Sequence, residues 1–254
     1  MRRRRPSSRM IRTISLHSTY VTESCPAPRD VPSTSNRSDL LSSARGIRLG
    51  MIEAFSLSTA HLFQDALASQ ARLRYRVFVE QRGLPHLHFE DLEFDEFDTP
   101  AAVYLIWRDE RRVVRGLIRL LRTDRPYMLK SYWPHLVTQA LPESADVWEI
   151  TRVCVDKSVT RIVRRTIIPE LLSAVADYLE RVEANGIVGV TRAHLLSHFI
   201  RSGITWLGEP ALIEGEIERA FFVPRNCVRP EYHCARYGIG TVRVHSGHVD
   251  ERAA

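Results

Sequence analysis

The densest run of chemically capable side chains is HFEDLEFDEFD, residues 88–98. It holds His88, Glu90, Asp91, Glu93, Asp95, Glu96 and Asp98, interleaved with Leu92, Phe94 and Phe97. The apolar residues predict that this acidic loop folds back onto the body of the protein and holds some carboxylates in place. Asp95 and Asp98 are three apart, so one compact turn puts both on the same side. Cations and one further acid stand inside otherwise apolar segments: Arg74, Arg119 in GLIRLL, and Glu149 and Arg152 in WEITRV. A charge buried without a partner is costly. These groups therefore need partners, and Asp95 and Asp98 are natural ones. Two compatible readings follow, an internal ion-pair network that fixes the loop and a polar cleft for a charged substrate. On an extended strand Glu149 and Arg152 point to opposite faces, unless the strand bends or carries a bulge.

No metal centre is expected. His194 and His198 are four apart in HLLSH and share a helix face, but the segment lacks the general-base Glu of HExxH. His86 and His88 add no ligand pattern. Cys25, Cys154, Cys227 and Cys234 form no CxxC pair, which suits a reduced, cytoplasmic chain. Cys154 reads as a small core residue.

Several elements must position these groups. Residues 52–57 read as a strand. Residues 60–81 read as a helix, with Ser58 or Thr59 as cap and Gly83 as its end. Strands at 102–107 and 113–121 are joined by the turn RDERR, and residues 123–129 read as a loop. A strand at 148–155 is followed by a helix over 162–184. Pro169 predicts that its regular part starts, or kinks, near that residue, and Asn185-Gly186 its end. A buried strand at 187–190, a short helix over 192–202 and a late strand at 216–223 complete the pattern. The order β-α-β-β-β-α-β-α-β predicts an α/β fold, a mixed twisted sheet flanked by helices. No GxGxxG or P-loop sits at a strand–helix junction.

The formal net charge of +6 is concentrated at one end. Residues 1–50 contain ten Arg, no Lys and three acidic residues, and 18 of the fifty are Ser, Thr or Pro. Disorder is the expectation for this basic extension, and Met51 reads as the native start. The remainder is nearly neutral, which argues against a nucleic-acid partner. No apolar run is long enough to span a bilayer. The expected organisation is therefore an extension at 1–50, one domain at 51–225 and an irregular tail at 226–254.

At this level of detail the chain resembles the acyl-homoserine-lactone synthases, the bacterial autoinducer synthases. The resemblance runs from Met51 to about Val223. It is carried by LRYRVF at 73–78, LEFDEFD at 92–98, GLIRLL at 116–121, TDRPYML at 123–129, WEITRVCVD at 148–156 and VTRAHLLSHFIRSG at 190–203. It implies an N-acetyltransferase-like α/β/α sandwich with a V-shaped split between strands. It also implies that the α-amine of S-adenosylmethionine attacks an acyl thioester, carried by coenzyme A or an acyl carrier protein. The methionine carboxylate then closes a lactone and releases methylthioadenosine, making a quorum-sensing signal.

On that resemblance Glu149 is the candidate general base. Asp95 and Asp98 order the loop and shape a cationic site. Arg74, Arg119 and Arg152 hold those acids, and one of them binds the methionine carboxylate. Phe78, Leu84, Trp148 and Val188 are the candidate co-substrate contacts. Leu84 departs from the family pattern, which has a Trp there that covers S-adenosylmethionine; Phe89 or Trp148 are candidates to compensate. Val188 stands where relatives preferring 3-oxo chains carry a hydroxyl residue, so an acyl group unsubstituted at its third carbon is expected. Leu84 and the aromatics Phe89, Trp107 and Trp148 raise a coenzyme A donor as a real alternative to carrier protein, for which Arg161, Arg164 and Arg165 would form the basic patch. Two other readings stay open: an N-acetyltransferase using acetyl-coenzyme A, and a non-catalytic protein that binds thioesters or an acyl carrier.

Overall fold

A computed structural model of the chain describes residues 50–84 and 88–246. The expected basic extension, apart from Gly50, His86 and the last eight residues lie outside the described residues. Strand β1 (Met51–Phe55) leads into a 3-10 turn (Ala60–Phe63), helix α1 (Ala66–Arg74) and a π-helical turn (Tyr75–Gln81). The predicted single helix over 60–81 is thus three pieces. Gln64 at φ 52° breaks the first junction, and Thr59 turns its hydroxyl back to accept from the Ser56 N–H at 3.0 Å instead of capping. Gly83, at φ 66°, stops the π turn as expected.

The acidic loop contains a two-stranded ribbon, β2 (His88–Phe89) and β3 (Leu92–Glu93). Strands β4 (Val103–Arg108) and β5 (Val114–Arg122) form the expected hairpin. Helix α2 (Met128–Tyr132) begins inside the segment read as a loop. Then come β6 (Val147–Val155), α3 (Arg161–Arg181), β7 (Gly186–Thr191) and α4 (Ala193–Phe199). Strands β8 (Thr205–Trp206), β9 (Ala211–Ile213) and β10 (Glu216–Pro224) follow, then α5 (Pro230–Tyr237) and β11 (Val244–Ser246).

Helix α3 starts eight residues before Pro169 and runs through it, so Pro169 neither opens the helix nor divides it. The residue that turns the chain after α3 is Glu183, at φ 54°. Gly186 belongs to β7, where a Cβ would fall 2.5 Å from the Val223 carbonyl oxygen. Within the stretch expected to be an irregular tail, the described residues include α5 and β11. His233 of α5 is fully buried against α3, where its ring nitrogens meet Ser173 Oγ at 3.2 Å and the Phe199 carbonyl at 3.1 Å. β11 pairs in parallel with β1. Among the described residues no helix is long and apolar enough to cross a membrane.

The main sheet has the order β11-β1-β4-β5-β6-β7-β10-β8, with β9 paired to β10. Only β11/β1 and β6/β7 are parallel. One face packs on α3 through Leu105, Trp107, Ile118, Leu171 and Val175. The other packs on α1 through Phe55, Leu73, Tyr104, Ile106 and Leu117. This is the expected three-layer arrangement, and three local features of it shape the site. Pairing of β6 with β7 covers only Val147–Glu149 against Gly186–Val188, so the two strands diverge beyond Glu149. At the fork, a Cβ on Gly189 would lie 3.0 Å from the Ile150 carbonyl oxygen; glycine lets the strands approach there. Finally, β6 carries one extra residue opposite Leu117–Arg119, with Arg152 at φ 52°. That bulge turns Arg152 toward the α1 side of the sheet.

Candidate active site

The loop carboxylates and the embedded cations meet on the α1 side of the sheet. Arg74, the last residue of α1, donates from Nε to Glu93, from Nη1 to Asp98 at 2.7 Å and from Nη2 to Asp98 at 2.9 Å. Arg119, from β5, reaches Asp95 at 2.6 and 2.9 Å, Asp98 at 2.8 Å and the Thr151 hydroxyl at 3.1 Å. Arg152 places Nη2 2.7 Å from Asp95 and 3.1 Å from Glu93. Asp98 also accepts from the Tyr104 hydroxyl at 2.7 Å and from the Asp95 backbone N–H at 2.8 Å. Three guanidinium groups therefore face three carboxylates in a buried, charge-balanced cluster.

Balance decides the ionisation states. Burial alone would raise the pKa of Asp98, but its bonds with Arg74, the charge of Arg119 and the Tyr104 hydroxyl hold it well below the usual carboxylate range. Burial likewise opposes the charge on Arg74, yet Asp98 and Glu93 outweigh it and raise its pKa. Arg152 is the exception. Burial dominates there, and its pKa falls despite Asp95 and Glu93.

Glu149 is held differently. It is buried on β6, and its two oxygens accept from the backbone N–H groups of Met128 at 2.8 Å and Leu129 at 2.7 Å, at the start of α2. Burial raises its pKa to about 7, against the opposing pull of those two N–H groups. A carboxylate titrating there is matched to proton transfer at neutral pH. Cys154, by contrast, is buried and pushed up to about 12 by that burial, as suits a core thiol.

A cavity of about 480 Å³ opens at the fork between β6 and β7 and reaches both faces of the sheet. Glu149, Thr151, Arg152 and Met128 line it. On the α1 side it meets Phe78, Arg82, Leu84, Trp133, Ile213 and Glu218. On the α3 side it is mostly apolar, with Ile168, Leu172, Leu196, Phe199, Ile200 and Phe221 beside the hydroxyl of Thr191. Phe78 packs its ring 5.3 Å from the Arg152 guanidinium carbon.

Residues 59–228 match the profile of the family described as autoinducer synthase. The chain belongs to the autoinducer synthase family. Over 179 residues it is 31% identical to an acyl-homoserine-lactone synthase of Pseudomonas aeruginosa, covering 68% of this chain and 87% of that one. It is 33% identical over 170 residues to an isovaleryl-homoserine lactone synthase of Bradyrhizobium diazoefficiens, covering 65% and 75%. Among solved structures it resembles a coenzyme-A-dependent acyl-homoserine lactone synthase with S-adenosylmethionine and isopentyl-coenzyme A. That similarity has a TM-score of 0.69 at 28% identity and covers 80% of this chain and 97% of the other.

Within this synthase, Arg74, Asp95, Asp98, Arg119, Glu149 and Arg152 come together, and Phe78 and Leu84 line the same cavity. Two other sequence candidates do not. Trp148 precedes Glu149 on β6 and so points to the opposite face, where it packs edge-on to Tyr178 at 5.4 Å, outside the cavity lining. Val188 pairs with Glu149 but is fully buried; the cavity wall comes from its neighbours Ile187 and Val190. Phe89 is 71% exposed. Trp107 is buried on the α3 face, with Nε1 donating to Glu170 at 2.6 Å. Trp133, just after α2, shares the α1-side cavity wall with Leu84 and Phe78.

Sequence reasoning also passed over Glu93, fully buried and joined to both Arg74 and Arg152. A signal for it exists: Glu93 is two residues before Asp95, and extended chain puts i and i+2 on one side. Nothing in the sequence singles out Tyr104 or the Met128 N–H.

Proposed function

We propose that this synthase uses Glu149 as the general base that frees the α-amine of S-adenosylmethionine to attack an acyl thioester laid in the β6/β7 fork. The observation that carries the assignment is a buried carboxylate with a pKa of about 7, aimed by two backbone N–H groups into the cavity. An ordinary Glu, titrating near 4.5, would be a poor acceptor for a proton from an ammonium. Glu149 takes one ammonium proton and passes it to the departing thiolate; the freed nitrogen attacks the carbonyl carbon, the C–S bond of the thioester breaks, and the second N–H proton, lost as the amide forms, leaves to solvent. The methionine carboxylate then attacks its own γ-carbon. The C–S bond to the sulfonium breaks, the lactone closes, and neutral methylthioadenosine leaves.

The charge cluster supports this without touching the acyl group. Arg152, at the cavity wall, is the cation of the cluster best placed to meet the methionine carboxylate. Arg74 and Arg119 fix Asp95 and Asp98 and so hold the loop. The diverging edge of β6 beyond Glu149 offers backbone groups to a pantetheine amide, as an added strand would use them.

The α3-side half of the cavity favours an acyl chain unsubstituted at its third carbon; a branched chain delivered by coenzyme A is the reading that the relatives support. Ile168, Leu172, Leu196, Phe199, Ile200 and Phe221 offer no side-chain donor for a keto oxygen, and the Thr191 hydroxyl on that face stands at the end of β7. Burying an unpaired acceptor there costs roughly 1–3 kcal/mol. This replaces the argument from Val188. It also accords with the two relatives, one named for isovaleryl-homoserine lactone and one described with isopentyl-coenzyme A. A panel of coenzyme-A-linked and carrier-linked donors, with products identified by mass spectrometry, tests it. The expected product is a branched, 3-unsubstituted homoserine lactone from coenzyme A. Preference for a 3-oxo chain or for a carrier-linked donor would overturn the assignment.

A further inference from the structure

Glu218 lines the α1 side of the cavity and has no part in the chemistry described above. It stands on β10, one step beyond the Arg219–Thr191 pair. By the period of 2 it shares the face of Ala220 and Phe222, which pack on the α1 side. It shares the cavity wall with Arg82, Leu84, Ile213 and Arg192.

Two nearby acids are already committed. Glu214 approaches Arg82 at 3.9 Å, and Glu216 approaches Arg192 at 3.1 Å. Glu218 is not: among the described residues, Arg82 and Arg192 act on it only through their charge, and no donor bonds its carboxylate. Burial raises its pKa, as expected of a carboxylate partly stripped of water without a bonded partner.

Distance along the sheet says what it faces. Val188 pairs with both Glu149 and Phe222, and Glu218 is four residues from Phe222 on β10. At about 3.3 Å per residue, Glu218 lies about 13 Å along the strand from the level of Glu149. With the two strand steps from β6 to β10 the separation is roughly 16 Å, which the reach of the two side chains brings to the length of an extended S-adenosylmethionine, with its amine at Glu149 and its nucleoside at the far end. Ribose hydroxyls and the adenine amine are hydrogen-bond donors, and a carboxylate is an acceptor only.

We propose that Glu218 is the positioning residue for the nucleoside of S-adenosylmethionine, accepting hydrogen bonds from it at the outer end of the cavity. This rests on the reading of Glu149 as the residue that meets the amine. The nucleoside portion is anchored by Glu218 and packed against Leu84, while the reacting amine is left to Glu149. Loss of the anchor weakens binding of co-substrate and nucleoside product alike and spares the acyl donor.

The test uses the full chain and methylthioadenosine, which contains the nucleoside but no amine or carboxylate. Binding is measured by calorimetry for the unsubstituted protein, Glu218→Gln and Glu218→Ala, beside steady-state kinetics and melting curves. The expected result is an affinity for methylthioadenosine about tenfold weaker in Glu218→Ala, with Glu218→Gln in between. The KM for S-adenosylmethionine should rise alongside, with kcat, the KM for the acyl donor and the melting temperature little changed. Equal affinity in all three proteins would overturn the role of Glu218 and leave Glu149 untouched. Failure of the unsubstituted protein to bind methylthioadenosine at all would overturn the reading of the cavity itself, and this inference with it.

Discussion

Replacing Glu93 by Gln should destabilise the synthase far more than its place in a surface-looking acidic run suggests. The cluster sets three guanidinium groups against Glu93, Asp95 and Asp98, and the Glu93 side chain is completely buried between Arg74 and Arg152. Gln keeps the shape and removes one negative charge, leaving a buried net positive charge. Breaking one partner of a buried pair costs about 3–5 kcal/mol, a large share of the roughly 5–15 kcal/mol that holds a domain folded. In a protein of this size each kcal/mol moves the melting temperature by about 2–4 °C, so a fall of roughly 6–20 °C is expected. Urea unfolding should show the loss as a lower midpoint at unchanged slope. The double variant Glu93→Gln/Arg152→Met restores the balance of charge and should recover at least about 1 kcal/mol of it. A loss below about 1 kcal/mol in the single variant, or no recovery in the double, would refute charge balance as what holds the loop.

Two further outcomes follow from the site. The rate of amide formation at saturating substrates should rise with pH through about 7 and level off above it, because burial raises the Glu149 pKa and only its ionised form accepts a proton; a profile flat from pH 6 to 8 would count against it. Trp133→Ala should raise the KM for S-adenosylmethionine several-fold, whereas Trp148→Phe should leave it unchanged and act only on stability. Steady-state kinetics of the pair separate the cavity aromatic from the core one, and an effect from Trp148 alone would reverse the assignment.

The charged half of the site was legible because physics makes such residues conspicuous. An Arg inside GLIRLL or at the end of an apolar helix face must find an acid, and Asp95 and Asp98 were the acids with the right spacing. The same logic required a bulge if Glu149 and Arg152 were to share a side, and β6 has one at Arg152. What escaped was set by tertiary placement. The fork between β6 and β7 depends on where two strands stop pairing, which no local pattern states. Trp148 is aromatic and adjacent to Glu149 in sequence, yet strand alternation sends it to the other core. Helix α5 is short and β11 has three residues; each is ordered by what it packs or pairs against, through the buried His233 and the edge of β1. Helix α2 hides in a segment that opens with turn formers, although its first two N–H groups orient Glu149.

The most direct test of the account is thiol release from an acyl-coenzyme A by Glu149→Gln in the presence of S-adenosylmethionine, with a melting curve beside it. Gln fills the same space and can still accept from the Met128 or Leu129 N–H, so the protein should melt within a few degrees of the unsubstituted one. It cannot take up the proton of the attacking amine, and general-base assistance contributes about 10²–10⁴-fold. The account predicts a folded protein whose thiol release falls by at least about a hundredfold at pH 7.5. Near-normal release from a folded Glu149→Gln variant would contradict it.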